Sequence, residues 1–322
     1  MTVPVRRDSK GDGWQPTVPF LLSRLAALVL LVWVGPAQAG PGTDIPFRTP
    51  PQSEPYILLE ARLGGRGHFT LLLDTGNATP FTVALSPDAA RRAGAQAGRG
   101  APFVSQGSVG GPVRLDPWTV PEMTVGPVEL TNVRAGVTDA VDVVNRGFGM
   151  HLDGILGHDF LAGRVVAIDY PCRRVDLAAV APRTPPTAGF TLAPLRPLLL
   201  VTGRINGRGP FRLVLDTGSG NTILSPVVAR ATGIVTNGPA SLAGAGGVDR
   251  DGRTGIADVS LGETAPRRIR IVVAGLVETT ARVAGAPIDG IAGTQTFADG
   301  RLVIDYPGRR LWLLPARPCA RP

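Results

Sequence analysis

Four short blocks occur twice in this 322-residue chain, in the same order, and that duplication restricts the fold to two copies of one unit. The longest covers residues 65–76 and 207–218; each copy opens Gly-Arg-Gly, runs through Leu71-Leu72-Leu73 or Leu213-Val214-Leu215, and ends in Asp-Thr-Gly. The second pairs residues 85–94 with 224–233. Each copy reads as a short helix, with Ser86 or Ser225 at the N-cap, Pro87 or Pro226 in the first turn and Gly94 or Gly233 past the end. The third pairs Asp153-Gly154-Ile155-Leu156-Gly157 with Asp289-Gly290-Ile291-Ala292-Gly293. The fourth, Ile168-Asp169-Tyr170-Pro171 and Ile304-Asp305-Tyr306-Pro307, precedes Arg173-Arg174 or Arg309-Arg310 and reads as a hairpin turn between two terminal strands.

Between the blocks lie short runs of Val, Leu, Ile and Thr, punctuated by glycine and proline. With 42 Gly, 31 Pro and 43% hydrophobic residues, such a chain buries a core but turns often. The expectation is an all-β fold with little helix. The domains expected are 56–181 and 198–316, joined by a Pro-rich linker at 182–197, with an N-terminal segment at 40–55 and a tail at 317–322.

The first 39 residues read as an address. Arg6, Arg7, Lys10 and Arg24 precede an apolar run at 25–34 that ends before Ala37-Gln38-Ala39, the layout of a secretory signal with cleavage after Ala39. The run has half of the roughly 20 apolar residues that span a bilayer, so no stable membrane span is expected after cleavage and the mature chain is placed in the periplasm or outside the cell. Disulfides persist there, and the two cysteines permit one bridge, Cys172 to Cys319, or remain as two free thiols.

Several chemistries lose their basis in the residue inventory. The net charge of +8 comes from arginines scattered singly or in pairs, with no aromatic-interleaved basic run, so no nucleic-acid partner is expected. Two cysteines and three unpaired histidines, His68, His151 and His158, offer no ligand-spaced cluster, and neither a metal nor another cofactor is expected. The only lysine is Lys10, which excludes a phosphate-binding Walker loop. No Gly-x-Ser-x-Gly elbow occurs, and His158 is read as structural.

What remains is a carboxylate at the end of an apolar strand, followed by a tight turn, twice. Glycine is expected at Gly76 and Gly218 because the backbone leaves the strand in a conformation that a side chain would obstruct. A pseudo-twofold arrangement of the units brings Asp74 and Asp216 face to face. Two such carboxyls cannot both ionise easily, so one holds a proton while the other stays charged. The charged member can take a proton from water while the neutral one donates to a carbonyl oxygen, which hydrolyses an amide without a covalent intermediate.

These residues resemble the pepsin and retropepsin class of aspartic proteases. Asp74-Thr75-Gly76 and Asp216-Thr217-Gly218 match the active-site loops, and Ile155-Leu156-Gly157 with Ile291-Ala292-Gly293 match the hydrophobic-hydrophobic-Gly motif that buttresses them. The resemblance implies two retropepsin-sized β-barrel domains related by pseudo-twofold symmetry, threonines interlocked across the dyad, and hairpin flaps over a peptide or protein substrate. Two departures stand out. Asn77 follows the first motif where many pepsin-like enzymes carry a hydroxyl, whereas Ser219 follows the second, and no tyrosine lies between Asp74 and Asp153 to serve as the pepsin flap tyrosine. The glycine-rich stretches 105–113 and 242–252 are the candidate flaps, with plain surface loops as the alternative reading. The function expected is that of an exported, monomeric aspartic endopeptidase, with a catalytically silent peptide-binding protein on the same fold as the alternative.

Overall fold

Each unit begins with a hairpin whose second strand carries the aspartate. The computed structural model describes residues 44–50, 54–107 and 109–319; the expected signal segment and its cleavage site lie outside them. In the first unit Leu58–Leu63 pairs with Arg66–Leu73, and the chain turns on Gly64 and Gly65, both with positive φ. Alternation on the first strand sends Leu59, Ala61 and Leu63 inward and Glu60 and Arg62 outward, as one half-covered sheet face requires. The second strand loses that alternation at its end, where Leu71, Leu72 and Leu73 are all buried. Gly154–Leu156 runs parallel beside these leucines and antiparallel to Val83–Leu85, and every residue of both short strands is buried as well.

The second unit repeats this register. Leu199–Ile205 pairs with Arg208–Leu215, Gly290–Ala292 lies parallel to the latter, and Thr222–Leu224 runs antiparallel to Gly290–Ala292. The aspartates of the third block pin the arrangement from below. Asp153 accepts from Thr70 N–H and Asp289 from Arg212 N–H, both at 2.7 Å, tying each buried strand to the one before it.

Helices are short; among the described residues the longest, Ala140–Phe148 and Leu276–Ala284, have 9 residues each. The two helices expected from the second block form at Pro87–Arg92 and Pro226–Ala231. The Ser86 and Ser225 hydroxyls accept from the N–H of Ala89 and Val228, satisfying donors that a helix start leaves open.

The terminal hairpins of both units merge into one sheet. Val165–Asp169 pairs antiparallel with Arg301–Asp305, so the seam between the units is a continuous β-ladder. At each hairpin turn the fourth-block aspartate closes the loop: Asp169 Oδ1 accepts from Cys172 N–H and Asp305 Oδ1 from Gly308 N–H. Arg173 and Arg309 occupy the left-handed position of these turns. The sulfurs of Cys172 and Cys319 are bonded, joining the first unit's turn to the segment after the last strand.

Two stretches expected to lie outside the domains enter this sheet. Within 182–197, taken as linker, Ala188–Leu192 is a strand that pairs with both Leu199–Ile205 and Arg310–Leu314. Within 40–55, Asp44–Pro46 pairs with Arg174–Asp176. Proline and glycine at their flanks marked the breaks, but the residues between them found strand partners, Asp44–Pro46 at the sheet edge and Ala188–Leu192 between two strands of the second unit.

Candidate active site

The strands Arg66–Leu73 and Arg208–Leu215, buried over their last three residues, deliver Asp74 and Asp216 to the floor of a cleft between the units. Each aspartate is held by the neighbouring parallel strand: Asp74 N–H donates to Leu156 O at 2.9 Å and Asp216 N–H to Ala292 O at 3.0 Å. Ile155-Leu156-Gly157 and Ile291-Ala292-Gly293 therefore lie beneath the two turns. A side chain at Gly157 would run into Asn77 O, and one at Gly293 into the carbonyls of Ser219 and Asn221, so both positions admit only glycine.

Thr75 and Thr217 lock the turns together. Thr75 N–H donates to Thr217 Oγ1 and Thr217 N–H to Thr75 Oγ1, each at 3.0 Å. Each hydroxyl then donates across the seam, Thr75 to Leu215 O at 2.8 Å and Thr217 to Leu73 O at 2.9 Å. All four bonds are buried, where each is costly to lose because no water replaces it.

The carboxyls meet above this lattice. Asp74 Oδ1 accepts from the N–H groups of Gly76, at 2.7 Å, and Asn77, at 3.1 Å; Asp216 Oδ1 accepts from Gly218 N–H at 2.8 Å. A hydrogen bond joins the two side chains. Glycine is required here for a reason that differs from the one expected. Neither Gly76 nor Gly218 has positive φ. A Cβ on Gly76 would instead lie 2.6 Å from the Asp216 carboxyl carbon, and one on Gly218 would strike the Asp74 carboxyl. Each glycine is the seat of the opposite aspartate.

Both aspartates keep some exposed surface toward the cleft, yet their carboxyls lie deep enough for burial to be the largest influence on their protonation. Burial, followed by the neighbouring Asp216 charge, pushes Asp74 well above the usual carboxylate range. Burial also pushes Asp216 up, but hydrogen bonds from Gly218, Asp74 and Ser219 oppose it. Burial and mutual proximity thus raise both carboxyls, and ionising the two together is costly.

The two residues that depart from symmetry act through their backbones. Asn77 contributes its N–H to Asp74, and the Ser219 hydroxyl turns away to donate to Asn221 O at 2.8 Å. His158 lies beside the first turn, with its N–H donating to Asn77 O and its ring edge-on to Tyr306.

Over the dyad stands a cavity of about 290 Å³ with apolar walls from both units, including Leu72, Ile155, Val214 and Ile291. Both candidate flaps roof it. The first is the hairpin of Phe103–Gln106 with Pro112–Val125, the second that of Thr236–Gly244 with Gly247–Leu261. Their tips touch: Gly111 N–H donates to Gly246 O at 2.9 Å, and Gly110 bridges to Gly246.

Tyr56 and Arg196 are among the lining residues that the sequence motifs do not mark. The buried Tyr56 phenol is pushed above its ordinary pKa, mainly by burial and then by the charge of Glu54. A signal was present, because Glu54-Pro55-Tyr56 and Arg196-Pro197-Leu198 occupy the same place in the two copies. Among the described residues no three His, Cys, Asp or Glu side chains converge to hold a metal ion.

Comparison with known families agrees with this geometry. The aspartyl protease family model matches residues 59–160, and the aspartyl protease model of gag polyproteins matches residues 201–282. The chain is built as a retropepsin-like aspartic protease. Among solved structures, basic 7S globulin from soybean is similar at 13% identity and a TM-score of 0.45, over 83% of this chain and 93% of that one. No curated protein matches the sequence.

Proposed function

We propose that this retropepsin-like chain is an exported aspartic endopeptidase, active as a single polypeptide. The observation that carries the reading is the joined, buried carboxyl pair of Asp74 and Asp216, seated on two glycines and locked by the threonine lattice beneath closed flaps. A structural role alone does not call for two mutually destabilising carboxyls at the floor of a cavity.

The charged Asp216 acts as general base and removes a proton from a water between the carboxyls and the peptide. That water attacks the scissile carbonyl carbon while Asp74 donates its proton to the carbonyl oxygen. The tetrahedral diol collapses as Asp216 passes the proton taken from water to the leaving amide nitrogen and Asp74 regains one from a diol hydroxyl, so the pair is restored and no bond forms between protein and substrate. Apolar walls keep bulk water from competing and strengthen each charge interaction in the cleft. Export is supported by the basic and apolar pattern at 1–39 and by the Cys172–Cys319 bridge, which persists in an oxidising compartment.

Catalysis needs one proton on the pair. Activity is expected to fall as pH rises through the elevated Asp74 value and the proton is lost, and to fall again as pH drops through the Asp216 value, itself above the usual carboxylate range, and that group is neutralised. The profile should extend above the ~4 typical of a free carboxylate. The test is cleavage of a denatured protein or quenched peptide across pH. Asp74→Asn and Asp216→Asn are each expected to lose at least about 100-fold, and pepstatin to inhibit the wild type. Unchanged cleavage in either variant overturns the dyad assignment. Peptide binding without cleavage by the wild type establishes the silent binding protein instead.

A further inference from the structure

We propose that Arg196 makes this cleft selective for peptides that present a carboxylate to the side bounded by the first flap and the helix Leu276–Ala284. The inference deepens the peptide-cleaving reading by naming a substrate class for the same site.

The cavity wall is apolar or neutral apart from three groups, the two dyad aspartates and Arg196. Among the described residues Arg196 is therefore the only cation lining it. The residue comes from the segment between the units, which is fixed to the second unit where Leu195 N–H donates to Ala284 O at the end of the helix. From there the guanidinium lies over Phe103 of the first flap, 4.4 Å from the ring centroid. Phe103 in turn packs edge-on against the buried Phe81. Stacking of this kind fixes the plane of a guanidinium while leaving its edge N–H groups to a ligand.

Arg196 donates through Nη1 to Leu195 O at 3.2 Å, whereas its Nε is buried with no hydrogen-bond partner. Among the described residues no carboxylate lies within ion-pair distance of it. A planar, oriented and uncompensated cation in a cleft with mostly apolar walls is a receptor for a carboxylate, which matches its forked donors.

The duplication sharpens the point. The threonine pair Thr75 and Thr217 sets a spacing of 142 residues between equivalent positions, and the same spacing relates Glu54 to Arg196. Both residues make the same tight turn, Tyr56 N–H donating to Glu54 O at 2.7 Å and Leu198 N–H to Arg196 O at 2.6 Å. Glu54, however, is engaged by Gln295 Nε2 at 3.3 Å. One position thus carries opposite charge in the two units. A peptide has direction, and a twofold-symmetric cleft reads it equally both ways; a cation on one side alone breaks that degeneracy.

An aspartate or glutamate side chain and a free C-terminal carboxylate share the chemistry, and the experiment separates them. Matched quenched peptides with Glu or Gln at each position around one cleavage site are assayed at a pH of about 5.5, where glutamate is charged. A parallel set differs only in a free or amidated C-terminus. The wild type is expected to favour the acidic member at one position by about tenfold or more in kcat/KM. Arg196→Met, which keeps an unbranched apolar side chain to pack on Phe103, should bring that ratio close to one, and Arg196→Glu should shift preference to Lys or Arg. Preference that follows the free C-terminus alone assigns the site to the terminal carboxylate. Equal handling of both members, or a preference that survives Arg196→Met, overturns the proposal. The same peptides are titrated by fluorescence anisotropy into Asp216→Asn protein and its Arg196→Met derivative. Charge-selective binding without wild-type cleavage sustains the role of Arg196 and rejects the endopeptidase, whereas cleavage without charge selectivity does the reverse.

Discussion

Asp74 carries a conflict that hydrolysis requires and folding resists. Its carboxyl is raised in the folded state, first by burial and then by the Asp216 charge, relative to ~4 in the unfolded chain. A group raised in this way adds stability below the unfolded pKa, and that contribution is lost as pH rises through the folded value. At neutral pH the dyad is therefore a liability. Asp74→Asn keeps a similar shape, keeps an oxygen to accept from Gly76, and presents an amide N–H toward Asp216. The variant is expected to melt higher than the wild type at pH 7, by on the order of 2–4 °C for each kcal/mol of relieved repulsion, and to match it near pH 3, where the aspartate is neutral. Scanning calorimetry at the two values checks this. An equal loss of stability at both would show that the carboxyl is not strained by its charge.

At the scale of elements, the flap contact rests on the absence of side chains. A Cβ on Gly246 would collide with the carbonyls of Val109 and Gly111, and one on Gly110, where φ is +77, would meet Gly246 O. Gly246→Ala is expected to part the tips. The Gly111 amide should then exchange with solvent faster, and KM should rise several-fold with a smaller change in kcat, because the closed roof helps retain the peptide. Hydrogen exchange and steady-state kinetics check the two effects separately, and unaltered exchange would show that the tips are not held by this contact. The glycines at 107, 110, 111, 246 and 247 were visible in the sequence as candidate hairpin tips, but their meeting was not, since it depends on how two distant hairpins face each other. The same division runs through the fold. Ser86-Pro87, Ser225-Pro226 and the Asp-Tyr-Pro turns were legible because cap and turn chemistry acts within a few residues. The strand Ala188–Leu192 was hidden because its partners lie in other elements. Asp-Thr-Gly identified the dyad, yet the reason for its glycine emerged only once Asp216 was seen above Gly76.

At the largest scale, the two repeats of the described residues form one structural body. Leu59, Leu71 and Tyr170 of the first unit share a single buried cluster with Leu213, Phe297 and Tyr306 of the second. The ladder between Val165–Asp169 and Arg301–Asp305 and the crossed threonines add hydrogen bonds that neither unit can make alone. Unfolding one repeat would strip the other of core and of strand partners, so the described body should melt in one cooperative transition despite its duplicated sequence. The Cys172–Cys319 bridge spans 147 residues across that body. Chain entropy assigns a closed loop of this size roughly 4–5 kcal/mol, and measured effects of removing native bridges run at about 2–5. The lower part of that range is expected, because the paired hairpins and Arg317, whose Nε lies 3.0 Å from the buried Asp169, hold the same region without the bridge. Cys172→Ser with Cys319→Ser should therefore lower the melting temperature by about 5–10 °C while leaving a single transition. Two resolved transitions in the variant would mean that the bridge, rather than the shared core and ladder, couples the repeats.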